Sequence, residues 1–265
     1  ARFDASTGLL SWTPGYDQAG QFNDITVLAG DGLHTVVERF NIRVEQGYAK
    51  PTLAVVPAQT LREGERYALQ LQGSVPGGLT QADGTTITLR YDAPWLPGGA
   101  TLNSETGWFE WAPGYNQHGT LHMPVTLTAI YTPADGSDPI ETFTTTTVDL
   151  NVLNANGAPV FDAAETWNVL EGDPLRISLF AFDPDNPDFE PKVRLSPTSP
   201  AIGGEGSAAT VTYSVTGLPA GATFDQETLE LVWTPGYAQA GTYHVSVTAT
   251  DNGDGTGVPL TSQVT

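Results

Sequence analysis

The sequence has no cysteine, one methionine and only two lysines, Lys50 and Lys192. Without thiols there is neither a disulfide framework nor a thiolate metal site. This does not fix the compartment, although it suits an exported bacterial protein that does without disulfides. No run of about 18 apolar residues occurs, which excludes a membrane-spanning helix. A sustained helical periodicity is also missing. Basic residues are scarce, ten against thirty acidic ones, for a net charge of −20. Such a surface repels nucleic acid and anionic membranes, and neither is an expected partner. The chain has no Gly-x-Ser-x-Gly elbow, no His-Glu-x-x-His and no Lys-bearing phosphate loop. His34, His118, His122 and His244 are scattered. Catalysis is therefore not expected.

What is present is 29 glycines, 20 prolines and many threonines and valines, the composition of short strands joined by turns. One stretch occurs three times: ARFDASTGLLSWTPGYDQAG at 1–20, ATLNSETGWFEWAPGYNQHG at 100–119 and ATFDQETLELVWTPGYAQAG at 222–241. A repeat of this kind decides the architecture. It aligns Trp12, Trp111 and Trp233, then Tyr16, Tyr115 and Tyr237. Leu10 and Trp12, Phe109 and Trp111, and Leu231 and Trp233 are two apart and share one strand face. Gly8 and Gly107 supply the positive φ of the preceding turn. The third copy has Leu229 there, so its turn is expected to differ.

Three segments follow. Residues 1–50 are the back half of a repeat, with a bulge expected near Asn23-Asp24. Residues 51–158 form a full repeat, in which Met123-Pro124 adds a residue to a strand and points to a bulge or an edge. Residues 159–265 form a third repeat lacking the end of its last strand. Its insertion at 187–207, rich in Pro, Ser and Gly, is expected to be a surface loop. Its strand after the shared element is expected to carry Tyr243, Val245, Val247 and Ala249. Both ends cut through a repeat, so the sequence is expected to be part of a longer array. The missing front half of the first repeat would come from a preceding part of the chain or from another copy.

About seven short strands per hundred residues point to an all-β fold of tandem immunoglobulin-like sandwiches. The motifs Asn-Gly-Ala-Pro-Val-Phe161, Leu-Glu-Gly172, Phe-Asp-Pro-Asp185, Gly-Leu-Pro-Ala-Gly-Ala-Thr-Phe-Asp225, Trp-Thr-Pro-Gly-Tyr237 and Thr-Ala-Thr-Asp251 make the resemblance specific. The chain resembles the cadherin-like, dystroglycan-type repeats of large bacterial surface and secreted proteins. The resemblance spans nearly all of the third repeat and, more loosely, the second.

In a sandwich of this topology three pieces meet at one end of the third repeat: the loop bearing Asp183 and Asp185, the loop 251–254, and the linker with Asn154 and Asn156. Carboxylates and amide oxygens gathered from separate loops suit Ca²⁺, which takes six to eight oxygen ligands. The lower end of the second repeat would add Glu63 and Asn116 to the set. The same residues are also ordinary turn formers. The resemblance implies that calcium stiffens the junction, as in cadherin-like families. At the preceding junction Tyr131 replaces Asp251 and the linker carries Lys50. No such site is expected there, and the junction should be mobile or directly packed. Asp31 matches Asp251 in the first repeat, and Glu171 would face a following linker.

These features point to a non-catalytic spacer or adhesive segment on a bacterial surface, of the kind found in adhesins and biofilm proteins. Its partners would be neighbouring repeats of the same chain. Two alternatives stay open. One is a carbohydrate-binding accessory module, with Trp108 and Trp95 as platforms for surface glycans. The other is a filament subunit that contacts further copies of itself.

Overall fold

The computed structural model describes residues 1–265 other than 82, 163–165, 197 and 205. Among the described residues every regular element is a strand. The chain folds as tandem β-sandwich repeats and packs as two compact units that do not follow the repeat boundaries. One comprises Ala1–Gln59, Tyr67–Trp111 and Leu121–Leu150. The other comprises Thr60–Arg66, Ala112–Thr120 and Asn151–Thr265.

In the first unit, Trp108–Trp111 pairs antiparallel with Tyr67–Gln70 on one side and Thr101–Leu102 on the other. Period-two alternation sends Phe109 and Trp111 into the core and leaves Trp108 and Glu110 outside. Thr86–Asp92 pairs with residues 126–132 of the long strand Gly119–Thr132. That ladder begins beyond Pro124, so the proline, which lacks an N–H, sits where its strand has no partner on this side. Met123, Val125, Leu127 and Ala129 of this strand are fully buried. In the half repeat, Gly20–Gly30 pairs with Thr35–Val44, with a register shift between Phe22 and Ile25. Asp24 at this bulge has φ 59° and its N–H donates to Asn41 Oδ1 at 2.9 Å.

In the second unit, Glu230–Trp233 lies between Leu175–Ser178 and Thr223–Asp225, while Ser246–Thr250 lies between Thr212–Thr216 and Thr261–Val264. Three expectations need correction. The strand after the shared element starts at Ser246, so Tyr243 and Val245 precede it. Tyr243 instead packs edge-on against Trp233, with centroids 5.0 Å apart. The insertion is more than a loop: Lys192–Val193 pairs with Ile202–Gly203. Arg194 pins it, donating through Nε to Asp225 at 2.7 Å and through Nη1 to the Ser199 carbonyl at 2.8 Å.

The third concerns Leu229, whose turn keeps the left-handed backbone of the glycine version. Among the described residues it lacks the bond by which Gly8 N and Gly107 N donate to the Asp4 and Asn103 carbonyls at 2.8 and 2.9 Å. Leu229 adopts φ 55°, against 70° at Gly8 and Gly107, and its carbonyl accepts from Leu179 N at 2.8 Å as that of Gly107 does from Leu71 N at 2.9 Å. Asp225 Oδ1 holds the turn by accepting from Glu227 N, and the leucine side chain is buried. Left-handed backbone costs a leucine about 1–2 kcal/mol, whereas deleting a buried leucine side chain costs about 2–5 kcal/mol. Leu229→Gly should therefore lower unfolding free energy by about 1–3 kcal/mol, measured by urea titration. A gain in stability would mean that strain dominates.

Candidate metal centre

The acidic loops and the linker meet inside the second unit. The Ala181–Phe182 strand delivers Asp183 and Asp185 into a tight turn, in which Asp183 Oδ1 accepts from Asp185 N at 3.1 Å and its carbonyl from Asn186 N at 3.1 Å. The Thr210 hydroxyl donates to the other oxygen of Asp183. Asp251 ends the Ser246–Thr250 strand. Its Oδ1 accepts three N–H groups, from Asn156 Nδ2 at 2.9 Å, Gly253 N at 2.8 Å and Leu260 N at 3.0 Å. The linker is tied to both loops: Asn154 Nδ2 donates to the Asp254 carbonyl at 2.6 Å, and Gly157 N donates to Asp185 Oδ2 at 2.8 Å. Asp183 and Asp251 are 4 % and 5 % exposed.

Asp183 spends both its oxygens on the scaffold, whereas the other groups keep an oxygen back. Asp185 Oδ1, Asp251 Oδ2, Asp254 Oδ2, Asn154 Oδ1 and Asn156 Oδ1 are all buried and accept no hydrogen bond among the described residues. Buried polar atoms are nearly always satisfied, and three of these five are carboxylate oxygens. Hard oxygens of this kind are what Ca²⁺ takes. Among the described residues the acidic and imidazole ligand atoms that lie within 4.8 Å of one another are those of Glu63, His118 and Asp254. Burial, together with the charges of Asp254, Asp183 and Asp251, pushes Asp185 up to about 6, against the opposing hydrogen bond from Gly157.

The sign of the pH dependence follows. With chelator present the folded protein binds the Asp185 proton more tightly than the unfolded chain. This contribution to stability is complete below the ordinary value of 3.8 and is lost as pH rises through about 6. Denaturant midpoints between those values should fall with rising pH in chelator, and excess calcium should offset the fall above it. A flat profile in chelator would rule this out.

Glu63 is 2 % exposed and lies at the same seam. Its Oε1 accepts from Gln117 N at 2.7 Å and its Oε2 from Ala155 N at 2.9 Å, so both oxygens already bind backbone. Glu63, His118 and Asp254 offer ligand atoms within 4.8 Å of one another, with His118 Nδ1 3.5 Å from Glu63 Oε1. Imidazole is not a calcium ligand of choice, and the oxygens of Asp185 and Asp251 are not among the atoms that converge this closely. Asn116 is exposed. Sequence reasoning left Asp254 out of the ligand set although it stands in the loop singled out, and it missed His118, which carries no motif.

Other residues singled out lie in the first unit. The expected replacement of Asp251 by Tyr131 needs correction: Leu127 pairs with Tyr91 as Ala249 pairs with Tyr213, so Ala129 stands at the place of Asp251. The buried Tyr131 lies two residues beyond; its hydroxyl donates to the Ala49 carbonyl at 2.7 Å and its ring meets Tyr48 edge-on at 5.1 Å. With Val75, Ile87 and Ala129 they make an apolar cluster in place of an acidic one. Asp31 is exposed and holds its own hairpin, accepting from Leu33 N at 2.8 Å and His34 N at 2.7 Å. Trp108 and Trp95 are both exposed, and no ring contact joins them among the described residues.

A family model described as "Putative Ig domain" (He_PIG) matches residues 50–152 and 178–265. Among solved structures, mouse protocadherin-24 EC1-3 is 15 % identical with TM-score 0.36, covering 99 % of this chain and 84 % of that one. Mouse cadherin-23 EC22-24 is 16 % identical with TM-score 0.33, covering 88 % and 69 %. The endo-fucoidan hydrolase MfFcnA4 is 15 % identical with TM-score 0.29, covering 98 % and 36 %. At these scores no functional inference rests on the structures. No curated protein sequence matches the chain.

Proposed function

The chain belongs to the He_PIG family of Ig domains, and from that starting point we propose that it is a non-catalytic spacer or adhesive segment of a large bacterial surface protein. Calcium bound at the acidic seam stiffens the joint that leads into the third repeat. The observation that carries this reading is the set of five buried oxygens, from two loops and one linker, that accept nothing from the protein. Asp185, Asp251 and Asp254 with Asn154 and Asn156 would hold the ion, and Asp183 and Glu63 would fix the loops and linker around it. The cation supplies neutralising charge: without it the clustered carboxylates repel one another at low local dielectric.

No helix among the described residues is long and apolar enough to cross a membrane. The apolar cluster of Tyr48, Ala49 and Tyr131 supports a preceding junction held by packing alone.

Calorimetric titration of the chelator-treated chain with calcium should give a saturable heat. Asp185→Asn should weaken the affinity about tenfold or more, the effect of about 1.4 kcal/mol. Absence of saturable heat at millimolar calcium would end the proposal.

A further inference from the structure

The shared element carries Pro-Gly-Tyr in all three copies, and the second copy shows what its tyrosine does. Tyr115 lies between two glycines of the second unit: a methyl placed on Gly64 would come within 2.6 Å of its hydroxyl oxygen, and one placed on Gly157 within 2.9 Å of its ring. Gly157 is in the linker that opens the third repeat. Gly64 belongs to the Glu-Gly turn, and its N–H donates to the Pro113 carbonyl at 2.8 Å. Two residues before Gly157, the N–H of Ala155 donates to Glu63 Oε2 at 2.9 Å. Tyrosine, glycine and glutamate thus grip a linker by a bare glycine and a backbone N–H. None of these contacts needs an ion.

The first unit repeats the tyrosine contact. A methyl on linker Gly47 would lie 3.4 Å from the ring of Tyr16. This linker leads to the apolar cluster of Ala49, Ala129 and Tyr131, so the tyrosine–glycine contact occurs with and without an acidic seam.

The third copy builds the same seat. Gly172 N donates to the Pro235 carbonyl at 2.7 Å, and Glu171 Oε1 accepts from Gln239 N and Ala240 N at 2.8 Å each. A methyl on Gly172 would lie 3.1 Å from the Tyr237 hydroxyl oxygen, so the ring stands over its Glu-Gly turn as Tyr115 does. Yet Tyr237 is 88 % exposed, and the second oxygen of Glu171 makes no bond like that of Glu63 to Ala155 among the described residues.

We propose that Glu171, Gly172 and Tyr237 form a docking seat for the opening linker of another repeat of this type, a segment of the form Asn-x-Gly-Ala-Pro. The glycine lies flat on the Tyr237 ring, where any side chain would collide. The N–H two residues earlier bonds to Glu171. The seat selects a linker by a glycine and a register and works without metal, so it stands or falls apart from the calcium reading.

The test appends a second copy of residues 148–265 after Thr265. Val264 faces inward and Thr265 outward, so the buried Val148 continues the alternation and carries the strand into the linker. Tyrosine nitration by tetranitromethane, read by peptide mass spectrometry in chelator, reports ring access. Tyr237 should be nitrated about tenfold more slowly in the extended chain than in the original, the factor given by 1.4 kcal/mol of closure. Tyr115 should be protected in both. Glycine-to-leucine substitution at the appended copy of Gly157 should restore the fast rate at Tyr237, and Gly157→Leu in the original chain should expose Tyr115. Equal rates at Tyr237 in the two chains would overturn the proposal. So would protection in the original chain that rises with its concentration, because the occupant would then be a second copy of the chain.

Discussion

Calcium is expected to raise the unfolding midpoint of the third repeat by about 15–30 °C over the chelated protein. A ligand at a thousandfold excess over its dissociation constant stabilises the folded state by about 4 kcal/mol. In a domain of about 100 residues each kcal/mol moves the midpoint by about 4–8 °C. The effect is large because the ion offsets two costs. One is the burial of five oxygens that accept nothing, which is the main cause of the rise of Asp185 to about 6; the other is the smaller repulsion from Asp254, Asp183 and Asp251. Asp251→Asn isolates the contribution of one ligand. It leaves Oδ1, which holds Asn156, Gly253 and Leu260, and converts the unbonded Oδ2 into an amide. The variant should lose most of the calcium shift while keeping or raising the midpoint in chelator. Scanning calorimetry of both proteins decides this, and identical wild-type traces in calcium and chelator would contradict it.

Removing Glu63 should be the most damaging single change at the seam. The side chain is buried, and its two oxygens accept the N–H groups of Gln117 and Ala155. Glu63→Ala opens a void, leaves the Ala155 N–H without this acceptor and leaves the Gln117 N–H with the Gly114 carbonyl at 3.2 Å. An unsatisfied group costs about 1–3 kcal/mol, added to the cost of the cavity. A loss of about 3–5 kcal/mol is expected in denaturant titration, in calcium and chelator alike, because the bonds are to backbone. Glu63→Gln keeps one carbonyl oxygen and should recover roughly half of that loss. A loss seen only in calcium would instead place Glu63 among the essential ligands.

The proposed seat at Tyr237 shows how far a sequence reading reaches. The threefold alignment identifies Tyr16, Tyr115 and Tyr237 as equivalent, but equivalence does not say what they touch. The linker glycines Gly47 and Gly157 lie 31 and 42 residues along the chain from the tyrosines they meet, and their close approach exists only once the sheets are assembled. Leu229 shows the opposite failure. A rule that favours glycine at positive φ predicts a different backbone, but burial of the leucine and the Asp225 hydrogen bonds outweigh about 1–2 kcal/mol of backbone strain.

Periodicity and turn chemistry act between neighbours in the chain. The sequence by itself therefore determined the repeats, the inward tryptophans, the bulge at Asn23-Asp24 and the acidic character of the loops. Which oxygens are left without donors depends on distances between residues about 30 to 190 apart in the chain, such as Glu63 with Ala155 and Asp254, or Gly157 with Asp185. Only the tertiary structure decided that. Local preference fixes a strand or a turn, whereas desolvation and charge repulsion act on whatever the finished packing brings together.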